Sequence, residues 1–302
     1  MKYVEAGGAR ISAIGLGAWQ FGSAEWGYGE DYARDEALKI VHRALELGVN
    51  LIDTAELYGF GRSERIVGEA IKGRRDSVFL ATKLLPVGLP FQVASRARSS
   101  ARRLGVDRID LYQQHWPSPM FPPGATMPRM RKLVESGLVS HAGVSNHSLG
   151  QWQAAEKNFG GPVLSNQVKF NLLERGPERE LVPWAHENGR VVIAYSPLAQ
   201  GLLSGQYLET TPRNLRRLRP AFSASARARL RPLIAALGEI ANMHNASAAQ
   251  VALAWLIRRP NVVAIPGASS VHQMEQNAAA ADIDLSDEED ARLSTLASRQ
   301  AA

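Results

Sequence analysis

Apolar residues come in short runs along this chain, and a polar or ionisable residue closes each run. Leu51 and Ile52 lead to Asp53. Val78, Phe79, Leu80 and Ala81 lead to Thr82 and Lys83. A third run starting at Ile109 closes on His115 and Trp116. Asp53, Lys83 and His115 are about 30 residues apart, the length of one strand–helix unit. Between the runs, apolar residues recur at helical spacing. Ala37, Ile40, Val41, Ala44 and Leu45 form one such face, which Gly48 ends. The pattern predicts eight short strands, over 14–17, 50–55, 77–83, 109–116, 140–145, 163–170, 191–196 and 262–266. Helices are expected over 35–47, 63–71 (with Ser63 as its cap), 92–104, 126–136, 149–159, 179–187, 226–243, 248–257, 273–281 and 287–297.

Strands that alternate with helices through one chain predict an α/β fold, a (β/α)8 TIM barrel, as a single domain over 1–302. A hairpin around Gly7-Gly8 precedes it and is placed to plug the closed end of the barrel. Near the C-terminus two helices stand where one is expected, and further helices close the chain. The stretch 197–225 breaks the rhythm and reads as a long functional loop. An open doubly wound sheet is the competing arrangement, but no Gly-x-Gly-x-x-Gly follows the first strand.

Composition narrows the class. With 302 residues, 45% apolar and 21% charged, the chain is long enough for a sizeable core. A net charge of +6 and a pI of about 9.7 raise the question of nucleic acid. The cations are scattered and no binding motif accompanies them, so no nucleic-acid partner is expected. Arg96, Arg98, Arg102 and Arg103 cluster on one helix and read as a solvated outer face. There is no cysteine, and so neither disulfides nor thiolate chemistry. No run reaches the roughly 18 apolar residues of a membrane span, and the first residues do not resemble a signal peptide, so a cytoplasmic location is expected. His42, His115, His141, His147 and His186 lie on different segments without paired ligand spacing, so no metal is expected.

Side chains that leave parallel strands at their carboxyl ends gather at one mouth, where barrel active sites lie. There Asp53, Tyr58, Lys83 and His115 would form a proton-transfer set. Tyrosine alone is a poor acid at neutral pH; a nearby ammonium favours the phenolate and lowers its pKa. Aspartate keeps the lysine charged, and histidine orients a carbonyl oxygen. The matching reaction adds hydride to a carbonyl carbon, and since no side chain donates hydride, a nicotinamide must supply it. Taken singly, each residue has a plainer role: a cap, a packing ring, a core histidine. Lys83 alone also suits a Schiff base in a barrel aldolase, but that leaves Tyr58 unexplained.

At these residues the chain resembles the aldo-keto reductase family, over nearly its whole length. Leu51-Ile-Asp-Thr-Ala-Glu-Leu-Tyr-Gly59 with Gly61-Arg-Ser-Glu64, Lys83 at its strand end, and Asp110-Leu-Tyr-Gln-Gln-His115 are similar to its signatures. So are Gly143-Val-Ser-Asn146, Asn166-Gln167, Tyr195-Ser-Pro-Leu198 and Ile265-Pro-Gly267, all in order. The resemblance implies reduction of aldehydes and ketones with NADPH (NADH possible), catalysed by Asp53, Tyr58, Lys83 and His115, with Tyr58 as proton donor. It also implies that Ser145, Asn146 and Gln167 hold the nicotinamide carboxamide and that the ring of Tyr195 stacks on it. Ser196, Leu198, Gln200 and Gly201 belong to the segment that folds over the phosphates. Arg216, one of four arginines with Arg213, Arg217 and Arg219, is expected to reach them. Gly267, Ser269, Gln273 and Asn277 are assigned to the adenosine end, by neutral hydrogen bonds.

Two features depart from the family pattern. Many NADPH-specific members carry a cation after Ile-Pro-Gly, where this chain has Ala268, Ser269 and Ser270. The related potassium channel β subunits are similar to this neutral pattern. Their likeness keeps a second reading open, a nicotinamide-binding regulatory subunit that senses redox state through slow turnover. The tail is also short, so substrate contacts are assigned to Trp19, Phe21, Trp26, Trp116, Met120 and Phe121, with Trp19 also assigned to the cofactor. An open apolar mouth of that kind suits small-molecule carbonyl substrates. The sequence leaves the oligomeric state open.

Overall fold

The computed structural model describes residues 1–23, 31–208, 210 and 219–299. Strands β1 (Tyr3–Ala6) and β2 (Ala9–Ser12) form an antiparallel hairpin. Eight parallel strands follow: β3 (Leu16–Gly17), β4 (Leu51–Asp53), β5 (Phe79–Leu84), β6 (Ile109–Gln114), β7 (Val139–Ser145), β8 (Ser165–Lys169), β9 (Val191–Tyr195) and β10 (Val262–Ala264). Each pairs with the next in chain order. The first and last meet through a parallel bridge between Ile14 and Ala264, and Gly15 N–H donates to Ala264 O at 2.8 Å. The sheet therefore curls until its two edges join, as the alternating pattern predicts, and leaves no open edge.

The helices are α1 (Asp31–Glu46), α2 (Arg62–Ala70), α3 (Val93–Leu104), α4 (Pro123–Glu135), α5 (Leu149–Phe159) and α6 (Leu181–Glu187). They continue with α7 (Ala224–Met243), α8 (Ala248–Ile257), α9 (Val271–Ala279) and α10 (Asp287–Ser298). Helices α5 and α8 begin and end at the expected residues because capping boxes mark their starts, Ser148 with Gln151 and Ser247 with Gln250. Helix α2 departs from expectation. Its cap is Gly61, at φ 83°, and Ser63 lies inside the helix. The Ser63 hydroxyl turns inward instead, donating to Ala18 O at 2.7 Å and bonding Thr54 Oγ1 at 2.8 Å.

Period-two alternation along each strand separates two apolar layers. Leu51, Phe79, Ala81, Leu111, Leu164, Val191, Ile193 and Val263 fill the barrel interior. Ile52, Leu80, Tyr112, Val144 and Val192 face the helices. Ala6, Ala9 and Ile11 of the hairpin join the interior layer. The hairpin turn is seated on it too, since a Cβ at Gly7 would stand 2.9 Å from Leu164 Cδ1. The hairpin thus closes the amino end of the barrel, and the opposite end remains as the mouth.

Candidate functional site

The alternation that builds the interior also aims the polar strand ends. Leu51 points inward on β4, so Asp53 does as well; Phe79 and Ala81 point inward on β5, so Lys83 does as well. Both are buried. The Lys83 ammonium donates to Asp53 Oδ1 at 2.5 Å, to Thr54 O at 2.9 Å and to the Tyr58 hydroxyl at 3.2 Å, which occupies all three of its protons. The His115 ring stands edge-on to Tyr58, with centroids 5.8 Å apart, and against Trp116 at 4.7 Å. The four residues expected to meet do meet.

Electrostatics at the site follow from burial. Removal from water pushes the Tyr58 hydroxyl above its ordinary value, Lys83 opposes this, and Asp53 adds to it. The sequence reading expected the lysine to prevail. It does not, because Asp53 sits on the same ammonium and the phenolate is poorly solvated. Burial, the largest single influence, works against the charged form of Lys83, but Asp53 and Tyr58 together outweigh it and the pKa of the lysine ends up raised. His115 is pushed down to about 3, by burial first and then by the Lys83 charge. Its ring is neutral, and Nδ1 is buried without a partner. That leaves Nε2 as the nitrogen able to hydrogen-bond a ligand.

The expected cofactor residues fall on the same mouth. Asn146, exposed and at φ 58°, donates to His115 O at 3.2 Å and to Ser145 Oγ at 3.1 Å, and accepts from the Tyr195 hydroxyl at 3.0 Å. Ser196, Ala199 and Gln200 also have φ near +50 to +60°. Left-handed backbone at four non-glycine positions just past the ends of β7 and β9, the two neighbours of β8, is the kind of strain that collects at binding sites. Ser196, Leu198, Gln200 and Gly201 are half-buried there. Gly267 lets the Gln20 side chain approach closely, since a Cβ there would stand 2.0 Å from Gln20 Oε1. Ser269 donates to Gln273 Oε1 at 3.0 Å, and Asn277 donates to Gly267 O at 3.2 Å. An exposed amide, a hydroxyl and a half-buried tyrosine ring side by side fit a flat carboxamide-bearing ring. Gln167 is placed less simply. Its Nε2 donates to Asp53 Oδ2 at 2.8 Å, so its amide oxygen and one remaining N–H are left for a carboxamide.

Several expectations need correction or lie elsewhere. Phe21 and Phe121 are fully buried in the core between barrel and helices, so neither lines the mouth. Trp19 and Met120 are exposed, and Trp116 is half-buried beside His115. Trp26, Arg213, Arg216 and Arg217 lie outside the described residues. Arg96 and Arg103 are not on a solvated face. Arg96 binds Glu56 at 2.8 Å, and Arg103 binds the buried Glu64 at 2.5 Å. The sequence reading also missed Gln113, which donates to Asp53 Oδ2 at 3.3 Å from inside the barrel. Parity would have found it, since Leu111 on the same strand faces inward.

A barrel whose mouth gathers a buried lysine, an aspartate, a tyrosine and a neutral histidine defines a class of oxidoreductase, and comparison with known proteins agrees. The model of the aldo/keto reductase family matches residues 13–297, and the chain belongs to that family. It is 54% identical over 289 residues to an uncharacterized oxidoreductase of Mycobacterium tuberculosis, covering 95% of this chain and 90% of that one. It is 38% identical over 292 residues to the methylglyoxal reductase YeaE of Escherichia coli, covering 95% and 92%. The crystal structure of an aldo-keto reductase from Klebsiella pneumoniae in complex with NADPH superposes with a TM-score of 0.80 at 35% identity, covering 98% of this chain and 94% of that one.

Proposed function

We propose that this chain is an NADPH-dependent carbonyl reductase in which Tyr58 donates the proton. The observation that carries the reading is the Lys83 ammonium, held by Asp53 and Thr54 O with its third proton on the Tyr58 oxygen. A tyrosine whose pKa is raised keeps its proton at neutral pH and has it to give. Lys83, 3.2 Å away, stabilises the phenolate left behind. Neutral His115 orients the carbonyl oxygen through Nε2 and adds no charge that would compete with Lys83. When bound, the nicotinamide supplies the hydride. Asn146 and Ser145 would hold its carboxamide, Tyr195 would present its ring, and Gln167 would accept through its amide oxygen while one N–H stays on Asp53.

The mouth suits small carbonyls with an apolar body, which would rest on Trp116 and Met120 beside Trp19. Methylglyoxal, which the Escherichia coli relative reduces by its name, belongs in the substrate panel with aromatic aldehydes. The test uses NADPH deuterated at the transferable position. Deuterium at the carbinol carbon of the product is the expected result. Tight NADPH binding with no labelled alcohol from any aldehyde or ketone in the panel would overturn the reading.

A further inference from the structure

Tyr58 sits on a loop that buries little apolar surface of its own. Its neighbours Leu57 and Phe60 are 37% and 89% exposed, and Phe60, Gly59 and Gly61 all have left-handed backbone. Its backbone packs on Gly22, where a Cβ would stand 2.4 Å from Tyr58 C, and polar contacts add to what sets the 3.2 Å distance from its hydroxyl to Lys83. Two carboxylates bracket the loop, and they reach across to β5 and to the residue just past it. Glu56, two residues before Tyr58, accepts the Leu85 N–H at 2.5 Å. Glu64, the third residue past the helix cap, accepts the Thr82 hydroxyl at 2.7 Å. Thr82 and Leu85 flank Lys83 along the chain.

Each carboxylate is held in turn by an arginine of α3. Arg96 binds Glu56 through Nη2 at 2.8 Å and Nε at 3.2 Å, and its Nη1 donates to Val87 O at 2.8 Å. Arg103 binds Glu64 through Nε at 2.5 Å and approaches Glu56 at 4.0 Å. Its side chain also packs on the loop, where a Cβ at Gly61 would stand 2.5 Å from Arg103 Cδ. Charge-assisted bonds between partly buried groups are short and directional.

We infer that Glu56, Glu64, Arg96 and Arg103 form a positioning frame that holds the Tyr58 loop against the Lys83 strand from outside the barrel. None of the four touches the reacting atoms; they act through Tyr58 and Lys83. The inference rests on the reductase reading for its kinetic consequence, but the frame itself is observable without cofactor. Glu56 and Arg96 are the pair to perturb, because Glu64 is fully buried and its loss risks the fold.

The experiment compares wild type with Glu56→Gln, Arg96→Gln, Arg96→Lys and the Glu56→Gln/Arg96→Gln double variant. Four readouts are taken: thermal midpoint, NADPH affinity by fluorescence, kcat with an aromatic aldehyde, and amide hydrogen exchange of the cofactor-free protein. Misplacement by less than 1 Å lowers a rate by about tenfold or more. We expect Arg96→Gln to lower kcat by about tenfold while NADPH affinity stays within about twofold. Exchange at Leu85 and over 55–61 should quicken, Arg96→Lys should restore only part of kcat, and the double variant should be no worse than Arg96→Gln. Unchanged kcat with unchanged exchange would overturn the frame. So would kcat, affinity and thermal midpoint falling together, which marks a merely structural role. If wild type binds NADPH but reduces nothing, the reductase reading fails instead, and the exchange data still decide the frame.

Discussion

Replacing Lys83 by Met removes the centre of the site and leaves its neighbours in place. Two consequences can be sized. The ammonium stands 3.2 Å from the Tyr58 oxygen, and at an effective dielectric constant near 20 a unit pair at that distance is worth about 5 kcal/mol. Without it the phenolate loses roughly three to four orders of magnitude in stability. kcat for carbonyl reduction should therefore fall by about a thousandfold or more. The second consequence concerns Asp53, a buried carboxylate that would lose its charged partner. Such a loss costs about 3–5 kcal/mol. Gln113 and Gln167 still donate to Asp53, at 3.3 and 2.8 Å, which favours the low end of that range. Urea unfolding measures the second effect, and adding Asp53→Asn to Lys83→Met should recover most of the lost stability. An ultraviolet titration of Tyr58, with Tyr58→Phe as the blank, measures the first without cofactor, and the phenolate should recede to higher pH. A Lys83→Met protein with kcat within tenfold of wild type would refute the reasoning.

Further outcomes follow from the geometry. His115 is neutral down to about pH 3 and Tyr58 holds its proton past its ordinary range, so kcat for reduction should stay flat from about pH 5 to 9; a limb near pH 6.5 would contradict it. The folded pKa of His115 lies below the unfolded 6.5, so only the unfolded chain gains this proton as pH falls. Stability is therefore lost from about 6.5 downward until the folded value is reached, and His115→Gln should be less acid-sensitive, by roughly 3 kcal/mol at most near pH 4 by urea unfolding. A methyl group at Gly143 would stand 2.6 Å from Ser165 Oγ and 2.8 Å from Gln113 Cγ, so Gly143→Ala should cost about 1–3 kcal/mol in thermal unfolding. Tyr195→Ala should weaken NADPH binding by about tenfold, while Tyr195→Phe, which keeps the ring and loses only the bond to Asn146, should change it by about twofold or less, read by fluorescence titration.

Much of this architecture was legible because the barrel repeats one local unit. Polar strand ends at even spacing place Asp53, Lys83 and His115 at one mouth, and β4, β5 and β6 put them there. Capping boxes fixed α5 and α8 to the residue. What stayed hidden depends on contacts between units. Ser63 has the chemistry of a cap, but its hydroxyl is claimed by Ala18 O and Thr54, residues brought beside it by the closed sheet. Arg96 and Arg103 read as solvated because their partners, Glu56 and Glu64, are about 40 residues away. Phe121 reads as a substrate contact, yet its ring is buried and its carbonyl accepts from Gln114. The direction of the Tyr58 shift was also out of reach. It depends on how deep the hydroxyl lies and how closely Asp53 offsets Lys83, and neither is a property of residue type.

The most direct measurement is steady-state oxidation of NADPH and NADH by wild type and Tyr58→Phe across a panel of aldehydes, with cofactor binding measured on both. Removing one hydroxyl should leave NADPH affinity within about twofold and lower kcat by about a hundredfold or more. A Tyr58→Phe enzyme that binds NADPH and reduces aldehydes at the wild-type rate would contradict the account.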